Sequence, residues 1–128
     1  MTTAVPQVTD EIALAALRDV VAERPEFVYS APDHMKREED GVTCFYVHSD
    51  EDGSPVAAGC AIGVVLHRLG VPLEVLAKEE GGGAYGVTWR FLPHLSRETR
   101  TKFSDMQNYQ DDGAPWGLAY ARAMGETI

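Results

Sequence analysis

Proline and glycine cut this chain into short segments, and each cut falls where a regular element has to stop or start. Pro25 ends a helical pattern, because the residue before a proline is pushed out of the α region. Pro55 lacks an amide hydrogen, which restricts its segment to a sheet edge. Gly70 suits a helix C-cap, Pro72 and Pro115 suit helix starts, and Pro93 and Asp112-Gly113 close the segments before them. No apolar run reaches the roughly eighteen residues of a membrane span. The longest, Val56 to Leu66, is interrupted by Gly59, Cys60 and Gly63.

Between these cuts the periodicities assign elements. Thr9 is a good N-cap, Asp10 and Glu11 suit the positive end of a helix dipole, and Ile12, Ala16, Leu17, Val20 and Val21 make one face of a helix over residues 10–23. Phe27-Val28-Tyr29 is short and β-prone, and Ser30 to Asp40 reads as a polar loop closed by an Asp40-Gly41 turn. Val42 to His48 alternates as a strand, with Val42, Cys44, Tyr46 and His48 on one face and Thr43, Phe45 and Val47 on the other. Asp50 to Gly53 turns the chain, and Ser54-Pro55-Val56 returns as a short edge strand. A second helix is expected from Ala57 or Gly59 to Leu69, and a short third from Pro72 that dies in Glu79 to Gly83. Gly86 to Leu92 is expected as a strand, with Val87, Trp89 and Phe91 alternating against Thr88 and Arg90. Ser96 caps a fourth helix to about Tyr109, burying Phe103, Met106 and Gln110 or Tyr109. Pro115 opens a fifth, with Trp116, Ala119, Tyr120 and Ala123 inward. There is no internal repeat or linker. The expectation is a single domain over residues 1–128, α+β and mostly helical, with about five helices around a small antiparallel sheet and residues 1–8 flexible.

Charge narrows the function. Twenty acidic residues against eleven Lys and Arg leave a net charge of −9. Binding nucleic acid through a broad face requires clustered basic residues that displace counterions, so direct nucleic-acid binding is not expected. The acidic residues gather in Glu38-Glu39-Asp40, Asp50-Glu51-Asp52, Glu79-Glu80 and Asp111-Asp112. Each run falls at a loop or element end, where charge mainly serves solubility; lined up on one face, they would instead make a nucleic-acid mimic. Met1 to Val8 lacks a basic n-region and an apolar h-region, so no secretory signal is expected. Two cysteines are too few for a disulfide framework, and a cytoplasmic location is expected.

Several motifs fail their context test. Gly81, Gly83 and Gly86 spell G-x-G-x-x-G, but phosphate binding needs a strand before the motif and a helix after it, and the expected order here is the reverse. Asp50-Glu51-Asp52-Gly53 has its glycine at position four and Ala61 at position twelve, which rules out an EF-hand loop. No G-x-S-x-G is present, and Asp33-His34 lies in a charged loop. Cys44, His48, Cys60 and His67 carry ligand-type side chains, but neither pair has the C-x₂₋₄-C spacing of a structural zinc site, so no metal and no cofactor are expected. Cys60 in the first turn of its helix could form a thiolate, with His48, His67 or His94 as base and His48 the candidate. His67 is a poor partner because two helical turns separate it from Cys60.

Gln107 to Gly117 is dense in side chains that hydrogen-bond or stack. It reads either as a helix–turn–helix corner plugged by Trp116, or as a polar recognition surface of Gln107, Gln110, Asp111 and Asp112 beside Trp116 as aromatic anchor. Arg97, Arg100 and Lys102 oppose the dipole at the start of their helix, which would suit an acidic partner or a neighbouring acidic loop.

The chain resembles a group of small uncharacterised proteins of actinobacteria and their phages. The resemblance is carried by Cys44-Phe45-Tyr46-Val47, by Cys60-Ala61-Ile62-Gly63-Val64-Val65-Leu66-His67-Arg68-Leu69-Gly70-Val71, and by Gln107-x-x-Gln110-Asp111-x-Gly113-x-Pro115-Trp116-Gly117-x-Ala119. Together these lie within residues 40–125. The link between Pro55 and Cys60 is longer than in the family pattern, which leaves open where Cys60 sits on its helix. The resemblance implies a setting and no mechanism: an accessory factor that binds a host or phage protein. The expectation is therefore a small non-enzymatic binding or regulatory protein with a protein partner. The alternatives are a cysteine-dependent enzyme using Cys60, or an acidic nucleic-acid mimic.

Overall fold

The computed structural model describes residues 8–29, 45–52, 54–79 and 84–125. Most of the expected flexible N-terminus, the Ser30–Asp40 loop with its Asp40-Gly41 turn, the Val42–Cys44 start of the first strand, and Gly81–Gly83 lie outside them. The described chain is a mostly helical α+β fold with a two-stranded antiparallel sheet.

Helix α1 runs Asp10–Glu23, and the Thr9 hydroxyl accepts from the Ile12 amide at 3.3 Å. Its buried face is Ala13, Leu17, Val20 and Val21; Ile12 points outward. Strand β1 (Val47–Ser49) pairs antiparallel with β2 (Pro55–Ala58), Val47 opposite Ala58 and His48 opposite Ala57. Between them the Asp50 carboxylate accepts from the Asp52 and Ser54 amides, each at 2.9 Å, so this acidic residue builds the turn.

The first strand is shorter than its alternation predicts. Phe45, Tyr46 and Val47 are all buried, and the strand begins only at Val47. The cause is a close approach from the next helix. The Gly59 and Cys60 amides donate to the Tyr46 and Phe45 carbonyls at 2.9 Å, and a Cβ at Gly63 would collide with the Tyr46 backbone. Helix α2 spans Ala61–Arg68, starting later than expected because Ala57 and Ala58 complete β2; Cys60 is its N-cap. Gly70 ends it at φ +115°, with the Val71 amide returning to the Leu66 carbonyl and the Gly70 amide to that of His67. Helix α3 (Leu73–Leu76) follows Pro72 and tightens into a 3₁₀ turn at Ala77–Glu79.

Residues 86–92 are not a strand. Helix α4 covers Ala84–Phe91 and buries Ala84, Val87, Thr88 and Phe91, a helical stripe. The Thr88 hydroxyl donates to the Ala84 carbonyl at 2.8 Å, and the first helical amide, that of Ala84, donates to the Gln107 side-chain oxygen at 2.8 Å. Capped at one end and anchored on an apolar stripe, the segment folds as helix despite its β-prone residues. A helix therefore does follow the glycine run, but α3 and a 3₁₀ turn precede it rather than a strand, and Gln107 already occupies the Ala84 amide.

Helix α5 (Arg97–Asp111) is capped by Ser96, whose hydroxyl accepts from the Thr99 amide. It packs against α4, α2 and the last helix, α6 (Trp116–Ala123). The first amides of α6 donate to the chain after α1: Trp116 to the Phe27 carbonyl at 2.9 Å and Gly117 to that of Pro25 at 2.7 Å. Helix α1 lies against α2 and α6. Among the described residues no helix is long and apolar enough to cross a membrane.

Candidate functional site

The residues singled out by sequence divide between the interior and the surface. Gln107, Gln110 and Trp116 are buried. The Gln110 side-chain oxygen accepts from the Ala61 amide at 2.9 Å and the Trp116 indole nitrogen at 3.0 Å, and its nitrogen donates to Asp111 at 3.2 Å. Gln107 donates to the Tyr46 hydroxyl at 3.0 Å while its oxygen caps α4. Trp116 also packs edge-on against Phe27, with ring centroids 4.8 Å apart. These three side chains are therefore engaged inside the fold, in the manner of a plugged corner. Asp111 and Asp112 stay exposed at the end of α5.

Cys60 is 0% exposed at the start of α2. The hairpin brings the His48 ring against Gly59, its chain neighbour, but the His48 Nε2 lies 2.8 Å from the Tyr29 hydroxyl, which in turn accepts from the Phe45 amide at 3.0 Å. The exposed His67 has its Nδ1 3.0 Å from the Val71 carbonyl, and Cys44 lies outside the described residues. Among the described residues no group of three or more His, Cys, Asp or Glu side chains could hold a metal ion.

A different site forms where α4 meets the first turns of α5. Tyr85 and Trp89, four residues apart on α4, face outward and are 40% and 61% exposed. Beneath Trp89 lies Arg100, only 2% exposed, with its guanidinium carbon 4.2 Å from the indole centroid. Its Nη2 donates to the Leu92 carbonyl at 3.0 Å. Its Nη1 is buried and has no hydrogen-bond partner among the described residues. Tyr85, Trp89, Leu95, Arg97 and Arg100 line a cavity of about 400 Å³. Leaving a donor buried and unpaired costs about 1–3 kcal/mol, and more for a charged one, so this guanidinium nitrogen calls for an explanation.

The charge around this cavity is partly balanced. Burial lowers the Arg100 pKa, opposed by the attraction of Tyr85 and Asp10. Partial burial raises the Asp10 carboxyl, but hydrogen bonds from Ser96 and Thr99 and the attraction of Arg100 outweigh it and hold it below the ordinary carboxylate value. Asp10 accepts from the Ser96 amide at 2.7 Å, tying the start of α1 to the start of α5. Lys102 pairs with Glu98 at 3.6 Å, so of the three basic residues at the head of α5 only Arg97 and Arg100 face the cavity.

Trp89 and Tyr85 escape a sequence reading because the expected strand puts Trp89 on one face with Val87 and Phe91. The available signal was Arg97 and Arg100, placed where the helix dipole disfavours cations. No family model matches the chain, and comparison with curated proteins and with solved structures gives no match.

Proposed function

We propose that this protein is a non-enzymatic binding domain, an accessory or regulatory factor that engages a protein partner through Tyr85, Trp89 and Arg97. The observation that carries this reading is Trp89, a large aromatic side chain left 61% exposed yet held in place over a buried guanidinium. Trp, Tyr and Arg are the residue types that dominate binding hot spots, because each offers apolar area with a polar or charged edge. An exposed indole already stacked on Arg100 loses little freedom on binding. The resemblance to proteins of actinobacteria and their phages supports a host or phage protein as the partner, and the two-cysteine composition supports a cytoplasmic setting.

The full burial of Cys60 and the engagement of His48 by Tyr29 favour this reading over cysteine chemistry, which needs an accessible thiolate. The test is affinity capture from cells that express the protein naturally, with Trp89→Ala in parallel, followed by reconstitution with the purified partner. A partner that binds the native chain and is lost with Trp89→Ala supports the proposal. A partner held equally by both, as an acidic nucleic-acid mimic would hold its target, overturns it.

A further inference from the structure

We infer that the cavity beneath Trp89 is a carboxylate-binding subsite, taking an acidic side chain or the C-terminal carboxylate of the partner protein. The inference rests on the reading of the Tyr85–Trp89 face as a contact surface and adds the chemistry of what that face accepts.

Three observations lead to it. Arg100 is buried with Nη1 unpartnered among the described residues, while its Nη2 is committed to the Leu92 carbonyl and its face to the Trp89 ring. A guanidinium stacked in this way keeps its N–H edge for a planar acceptor, which is the geometry of a carboxylate. Arg97 lines the same cavity and supplies a second cation.

The charge balance selects the anion. Arg97 and Arg100 bring two positive charges to the site and Asp10 answers with one, leaving a single positive charge to be neutralised. A monoanion closes that balance. A phosphate near two negative charges would overshoot it, next to Asp10 and in a chain of net charge −9. The volume, about 400 Å³, is at the small end of ligand sites and suits one or two side chains of a peptide rather than a large ligand. Nη1 is shielded from solvent, so a carboxylate reaches it by displacing the lining that now covers it.

The experiment is a titration of the ¹⁵N-labelled full chain, following the Trp89 indole and Arg100 guanidinium resonances. Four probes are compared: a blocked peptide carrying one glutamate, its blocked glutamine counterpart, that counterpart with a free C-terminus, and inorganic phosphate. The expected result is saturable shifts at Trp89 and Arg100 with a carboxylate-bearing peptide, at least about ten-fold tighter than the blocked glutamine peptide. Whether the glutamate or the free C-terminus binds more tightly identifies which carboxylate is read. Arg97→Gln, an exposed change that leaves the core untouched, weakens binding about ten-fold, and Arg100→Lys weakens it at least as much. Equal binding of the glutamate, blocked glutamine and free C-terminus peptides overturns the carboxylate assignment while leaving the contact face standing. Tighter binding of inorganic phosphate overturns it in favour of a phosphate-bearing ligand. No shift with any probe overturns it outright, and Trp89-dependent capture of a partner then tells whether the contact surface itself survives.

Discussion

Gln107 and Gln110 lie one turn apart on α5, and each side-chain oxygen accepts the first backbone N–H of a different helix. Gln107 caps α4 at Ala84 and Gln110 caps α2 at Ala61, at 2.8 and 2.9 Å. Cys60 at the start of α2 makes no side-chain cap of its own. A single buried stripe on α5 thus satisfies the orphan amides of its two neighbours and fixes where they begin.

Gln110→Ala should therefore be among the most damaging substitutions outside the apolar core. It strands the Ala61 amide and the Trp116 indole N–H together, each buried, at about 1–3 kcal/mol apiece. Urea denaturation should show a loss of about 3 kcal/mol or more with an unchanged slope. A loss under about 1 kcal/mol would mean that water replaces the glutamine at no cost.

Two glycines should respond in opposite directions to alanine. A Cβ at Gly63 meets the Tyr46 carbonyl and Cα, rigid backbone that has nowhere to move, so Gly63→Ala should cost about 3 kcal/mol. Gly86 lies inside α4 with nothing within 4 Å of an added Cβ, so Gly86→Ala should stabilise by about 0.5–1 kcal/mol.

The Asp10 carboxyl is held below its ordinary value of 3.8, so it stabilises the fold above that pH and loses the contribution as pH falls and it protonates. Thermal melting of the native chain and of Asp10→Asn should differ by a constant amount near neutrality. The difference should shrink below about pH 4 and vanish in stronger acid. A gap that persists at pH 2 would assign the effect to packing.

Cys60 should resist alkylation in the folded chain and react only as fast as the fold opens. Peptide mapping after timed iodoacetamide treatment, with and without urea, separates it from Cys44. Rapid labelling of native Cys60 at neutral pH would reopen the cysteine-enzyme reading.

What sequence alone determined was local. Thr9, Pro25, Gly70, Ser96 and Pro115 act through their own backbone geometry and nearest amides, so the bounds of α1, the Schellman end of α2 and the start of α5 follow from residues a few positions apart. The hairpin turn at Asp50 belongs with them. Tertiary structure decided everything that hangs on distant partners. Val87, Trp89 and Phe91 alternate as a strand would, yet Ala84, Val87, Thr88 and Phe91 make an equally regular helical stripe, and the choice falls to a glutamine 23 residues away from Ala84. The same glutamines, with Trp116, have the composition of a binding surface and become interior because α2, α4 and α6 close over them. Trp89 has the composition of a core residue and stays outside because the helical turn carries it away from Phe91 and over Arg100. Burial is a property of which surfaces meet, and a polar or aromatic side chain carries no mark in sequence of the surface it will face.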